Sequence, residues 1–160
     1  MSPGPCLVIG VGNAMVGEDA FGGTVIALLR RRADLPAGVD LVDAQTDLLA
    51  FIDRFAAYDR VIVVDAVIGA GRAGEIAAFD EQTFAAWPDT RGGAHQVSAL
   101  TALGLFRTLY PDAGTRITLV ALSVDRVSSG TRVPEAAIAA GAELVARLWF
   151  AAADHKSGLQ

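Results

Sequence analysis

Cysteine is nearly absent from this 160-residue chain, and a single occurrence, Cys6, excludes an internal disulfide and any cysteine-rich zinc site. Its place inside the apolar run Cys6 to Val11 points to a buried thiol rather than a nucleophile. Histidine is almost as scarce, with only His95 and His155. No stretch approaches the roughly 20 apolar residues of a membrane span, and the N-terminus lacks the positive flank of a signal peptide, so a cytoplasmic address is expected. Basic residues are outnumbered, 13 against 18 acidic, and the net charge of −5 argues against nucleic acid or an anionic membrane as partner. The densest basic run, Arg30-Arg31-Arg32, falls at the end of an expected helix, where cations meet the negative end of its dipole. A Gly-x-Ser-x-Gly nucleophile elbow is missing as well.

What is present describes one well-folded domain over 1–153, followed by a polar tail from Asp154 that is expected to be mobile. The apolar share of 52% against 19% charged is that of a globular core rather than a disordered chain. Short β-branched runs alternate with longer amphipathic ones: strand 6–11, helix 20–33, strand 39–43, helix 47–56, strand 60–66, helix 96–109, strand 116–123 and helix 134–152. That order predicts an α/β fold, a three-layer α/β/α sandwich with a twisted, mainly parallel sheet of about five strands and helices on both faces. The almost continuous apolar run Arg60-Val61-Ile62-Val63-Val64-Asp65 belongs in mid-sheet, covered on both sides. After a glycine-rich turn, 75–79 reads as a short extra strand, with antiparallel pairing one option, and 80–94 as a long loop fringing a site.

The most informative segment is the bend Gly10-Val11-Gly12-Asn13-Ala14-Met15-Val16-Gly17-Glu18-Asp19-Ala20-Phe21-Gly22. It joins the first strand to the first helix, a place whose free N–H groups and partial positive charge would suit phosphate. Two carboxylates, Glu18 and Asp19, already stand there. They read either as caps of the helix or as ligands of a cation. A dinucleotide site also fits Gly10-Val11-Gly12 and the acid Asp43 ending the second strand, but Met15 occupies its third glycine position and the acid pair would repel a pyrophosphate.

In an open parallel sheet, ligands gather at the carboxyl ends of the strands. Asp19 follows the first strand, Asp65 ends the third, and His95 opens the helix starting near Gln96. Each has a bland reading: Asp19 and His95 could cap their helices, and Asp65 could meet solvent in a cleft. Together, two carboxylates and an imidazole form a plausible first shell for a borderline divalent cation such as zinc or nickel, with positions left for water or substrate.

These residues resemble the hydrogenase maturation proteases. The likeness rests on Gly10-x-Gly12-Asn13, Glu18-Asp19 with Gly22, the strand ending Val63-Val64-Asp65-Ala66 and Ala94-His95-Gln96, and it runs from about Cys6 to Phe150. The resemblance implies metal ligation by Asp19, Asp65 and His95, with Asp19 and Asp65 also the candidate catalytic residues. It implies an endopeptidase that removes a C-terminal extension from the large-subunit precursor of a nickel-iron hydrogenase, using nickel supplied by that precursor, with zinc or cadmium able to substitute in vitro. A non-catalytic factor that binds and inspects the loaded precursor is the alternative. Whether Asp19 or Asp65 activates water as a general base, or a metal does so, the sequence leaves open. One departure stands out: Asp43-Ala44-Gln45-Thr46 replaces the Asp-Gly-Gly-Thr run common in the family, so this loop is expected to contact its substrate differently.

Overall fold

Two nine-residue strands, β3 (Arg60–Ile68) and β5 (Arg116–Val124), pair in parallel along their whole length, from Arg60 opposite Arg116 to Ile68 opposite Val124. Around them the sheet takes the order β2-β1-β3-β5-β4, with β1 (Cys6–Gly10) and β2 (Val39–Asp43) parallel and β4 (Ile76–Asp80) antiparallel to β5. The computed structural model describes residues 4–13, 15, 17–88, 98–125 and 132–154.

Strand alternation sends successive side chains of β3 to opposite faces. Val61, Val63 and Val67 pack under α2 (Ile52–Phe55), α3 (Glu81–Ala85) and α4 (Ala99–Leu109), through Phe55, Phe84, Ala102, Leu103 and Phe106. Ile62, Val64 and Ala66 pack under α1 (Phe21–Leu29) and α5 (Glu135–Asp154), through Phe21, Val25, Ile26, Val145 and Trp149. The result is the three-layer α/β/α sandwich expected, with helices on both faces and a mainly parallel five-stranded sheet.

Several boundaries differ from the sequence reading, each for a physical reason. Asp65 lies inside its strand rather than at its end, because β5 continues to pair with β3 for three residues beyond it. The first helix ends at Leu29 rather than near 33, because the N–H groups of Arg31 and Arg32 turn back three residues, to the carbonyls of Leu28 and Leu29. Between 48 and 55 a short 3-10 turn, Leu48–Phe51, precedes a single turn of α2. The stretch read as loop from Asp80 holds α3, capped by Asp80, whose carboxylate accepts from Thr83 N–H at 2.8 Å. Five residues are too few to show helical periodicity. The fourth helix starts at Ala99 with Ser98 as its N-cap rather than near 96; the expectation that His95 opens it lies outside the described residues. Among the described residues no helix is long and apolar enough to cross a membrane.

Candidate functional site

The crevice forms where the chain changes direction across the sheet. From β1 it leaves to α1 on one face, whereas the helix that follows β3 and β4 on the way to β5, α4, covers the other, so the rim opens between β1 and β3. Strand β1 stops at Gly10, whose register partner is Val64, and Val11 N–H still donates to Val64 C=O at 2.8 Å. Asp65 is the next residue along β3. It therefore stands where β1 has ended, opposite Ala121, and shares the face of Val63 and Val67 beneath α4. Its side chain is almost wholly buried, at 1% exposure.

Glycines shape the approach of Asp19 to this rim. Gly12 adopts φ +144°, a conformation that side chains rarely adopt, and a Cβ there would overlap the carbonyl oxygen of Asp19. Its absence lets the 3-10 turn Gly17–Ala20 fold back over the bend and pack on β3. Asp19 is held by a hydrogen bond from the Asn13 backbone N–H to Oδ2, 2.9 Å. The cap of α1 is Ala20, which makes no side-chain cap bond, and the bond recorded for the Asp19 carboxylate goes to the bend. Gly22 completes the fit: a Cβ on it would come within 2.6 Å of Val11 N and closer still to the carbonyl oxygens of Val11 and Val64.

Next to the bend lies a cleft of about 530 Å³ between α1 and the loop after β2. Gly12, Asn13, Thr24, Asp43, Gln45 and Thr46 line it, with the exposed Met15 beside them. Sequence reasoning missed this cleft as a site. The sequence reading treats Asp43 as a candidate ribose acid and expects the loop Asp43-Ala44-Gln45-Thr46 to contact substrate, but the cleft that α1 forms with this loop has no local signal.

Asp19 and Asp65 thus belong to neighbouring parts of one rim, while His95 lies outside the described residues. Among the described residues no group of three histidine, cysteine, aspartate or glutamate side chains is close enough to hold a metal. Two carboxylates, one of them buried, suit a divalent cation by donor chemistry, and a third ligand has to come from elsewhere. Cys6 is not a competing nucleophile: burial pushes its thiol up to about 11, with Arg60 only partly offsetting this.

Comparison with known proteins gives a consistent picture. The model of the hydrogenase maturation protease family (HycI) matches residues 24–146, more than half of the chain; the span includes Asp65 and begins after Asp19. The hydrogenase 2 maturation protease of Escherichia coli (strain K12) is 32% identical over 62 residues, which are 39% of this chain and only 38% of that relative's length. Among solved structures, the hydrogenase maturating endopeptidase HybD from E. coli is 25% identical, with a TM-score of 0.74 over 96% of this chain and 94% of its own. The hydrogenase 2 maturation peptidase from a Thaumarchaeota archaeon is 27% identical, with a TM-score of 0.63 over 90% and 97%.

Proposed function

Because the chain belongs to the hydrogenase maturation protease family, we propose that it is an endopeptidase that removes a C-terminal extension from the large-subunit precursor of a nickel-containing hydrogenase after nickel insertion. The observation that carries this reading is Asp65, a carboxylate 1% exposed at the crevice where β1 ends. Burial of a carboxylate is costly unless its surroundings compensate it, and the 3-10 turn that carries a second carboxylate, Asp19, packs on the same strand.

In this reading Asp19, Asp65 and His95 bind the nickel that the precursor brings, which is part of the substrate. That contact is available only to the loaded precursor, so recognition of nickel and timing of the cut become one event. Hydrolysis adds water across the scissile bond: its oxygen bonds to the carbonyl carbon, the C–N bond breaks, and the proton leaves with the new amine. Asp19 and Asp65 are the rim groups able to take that proton in passing. Asp19, fixed by the Asn13 N–H, keeps a defined orientation for this work. The released fragment is the extension, and the shortened subunit can then close over its metal centre. The partner is this precursor in the cytoplasm, with neither nucleic acid nor membrane required.

Incubation of the purified protein with nickel-loaded and nickel-free precursor tests the proposal, with intact mass as the readout. Loss of a C-terminal fragment in the loaded sample alone is expected. A stable complex with unchanged precursor mass would make the protein a non-catalytic inspection factor instead.

A further inference from the structure

The two outer strands of the sheet, β2 and β4, close it in different ways. Along β2, Val39 N–H donates to Pro36 C=O, the Leu41 carbonyl accepts from Arg30 Nη2 at 3.4 Å, and Asp40 and Asp43 add charge, which are devices that keep further strands from pairing. Strand β4, Ile76-Ala77-Ala78-Phe79-Asp80, has no charge before its last residue. Ser123 N–H donates to Glu75 C=O at 2.8 Å, so Glu75 faces β5 and, by alternation, the backbone groups of Ile76 and Ala78 face outward. No described residue hydrogen-bonds to them, and Ala78 is exposed.

This open edge is level with the rim. Asp65 of β3 lies opposite Ala121 of β5, and Ala121 lies opposite Ala77 of β4. With strands about 4.8 Å apart, a strand added outside β4 would run about 14 Å from Asp65. The turn 69–75 already makes this crossing past the end of β5, and Ser123 fixes it: the hydroxyl donates to the Gly71 carbonyl at 2.8 Å, and the Ser123 carbonyl accepts from Gly74 N–H at 2.8 Å. A peptide laid along that turn would span from the acid to the edge in about four or five extended residues.

We propose that the edge of β4 receives the C-terminal extension of the precursor as an added sixth strand. The assignment rests on the peptidase reading above. The extension is the segment that suits the edge, because the finished subunit does without it and it is free to lie extended. The outward N–H and carbonyl groups of Ile76 and Ala78 pair with its backbone, which gives affinity without demanding a particular sequence. Ala77 and Ala78 leave room for its side chains on both faces of the sheet. Held there, the extension presents the bond preceding it to Asp65, and the edge acts as a docking surface rather than as part of the chemistry.

The probe is a synthetic peptide with the sequence of the extension, added to the purified protein. Amide hydrogen exchange followed by NMR should show Ile76 and Ala78 exchanging about tenfold more slowly, or slower still, once peptide is bound, with Leu41 of the opposite edge unchanged. Ala78→Pro removes an outward N–H that β5 does not use, at an outer strand where proline is tolerated. It should raise the peptide Kd by calorimetry, and KM for the loaded precursor, about tenfold with kcat nearly unchanged, whereas Ala78→Ser should match the wild type. Should the proline variant fail to fold, exchange in the wild type decides alone. Absence of peptide binding, or a bound peptide that leaves both amides unprotected, would overturn the proposal. Protection that appears without peptide and grows with protein concentration, with a doubled mass in light scattering, would also overturn it and assign the edge to a second copy of the chain. Failure of the wild type to shorten loaded precursor would instead reject the peptidase reading, and protection of Ile76 and Ala78 by the peptide would still uphold the edge.

Discussion

The backbone N–H of Asn13 donates to Oδ2 of Asp19 at 2.9 Å, so the bend after the first strand holds a carboxylate of its own where a nucleotide-binding bend would hold phosphate. The glycines serve that arrangement, since any side chain at Gly12 would meet the Asp19 carbonyl. Asp19→Asn keeps an acceptor for Asn13 and removes the charge. It should lower processing of the loaded precursor at least a hundredfold while the melting temperature stays within a few degrees, by mass spectrometry and calorimetry side by side.

Asp65→Asn should be more severe. The side chain is nearly inaccessible and almost isosteric with its replacement, so the fold should persist. Processing should fall by roughly a thousandfold or more, in the range of losses for a group acting in the reaction. Normal cleavage by a folded Asp65→Asn protein would remove this residue from the site.

Gly22→Ala tests the packing that brings the bend onto the sheet. The added methyl would strike the backbone of Val11 and Val64, which cannot move aside as a flexible side chain could. A loss of about 3 kcal/mol is expected from overpacking of this kind, read in urea unfolding. Gly104→Ala, where a Cβ meets open space, serves as the control and should be neutral or slightly stabilising.

Arg107 joins three elements through one side chain: paired hydrogen bonds to Glu81 of α3, the shortest at 2.7 Å, and donations to the carbonyls of Ala113 and Thr115 before β5. Arg107→Met should cost about 2 kcal/mol, and lysine should not restore it because the forked geometry is lost. Thermal unfolding of the three proteins decides this.

Stability should also fall at alkaline pH through Cys6. Burial raises its folded-state value to about 11, above that of an unfolded thiol, so the unfolded state releases its proton first. The stabilisation is complete below the unfolded value of about 9 and fades as pH climbs toward 11, by roughly 2–3 kcal/mol in all. Cys6→Ala should flatten this part of the stability profile, and native Cys6 should resist alkylation at pH 8.

Much of this molecule is written in local pattern. The period-two and continuous apolar runs locate all five strands, including β2 at 39–43 and the antiparallel β4, and the glycine bend marks the site's entrance. Less legible was whatever depends on pairing partners. Nothing in Val63-Val64-Asp65-Ala66 reveals that β5 carries the strand past the acid. The short α3 is signalled only by its cap, Asp80 with Thr83 three residues on. The cleft at Asp43 and Gln45 requires α1 to cross the end of β2, a tertiary event with no local mark.

Anomalous diffraction from crystals soaked in cadmium, a stand-in for the nickel of the precursor, tests the rim most directly. One ion bound jointly by Asp19, Asp65 and His95 is the expected result. Cadmium absent from the rim, or carboxylates too far apart to share an ion, would contradict the site.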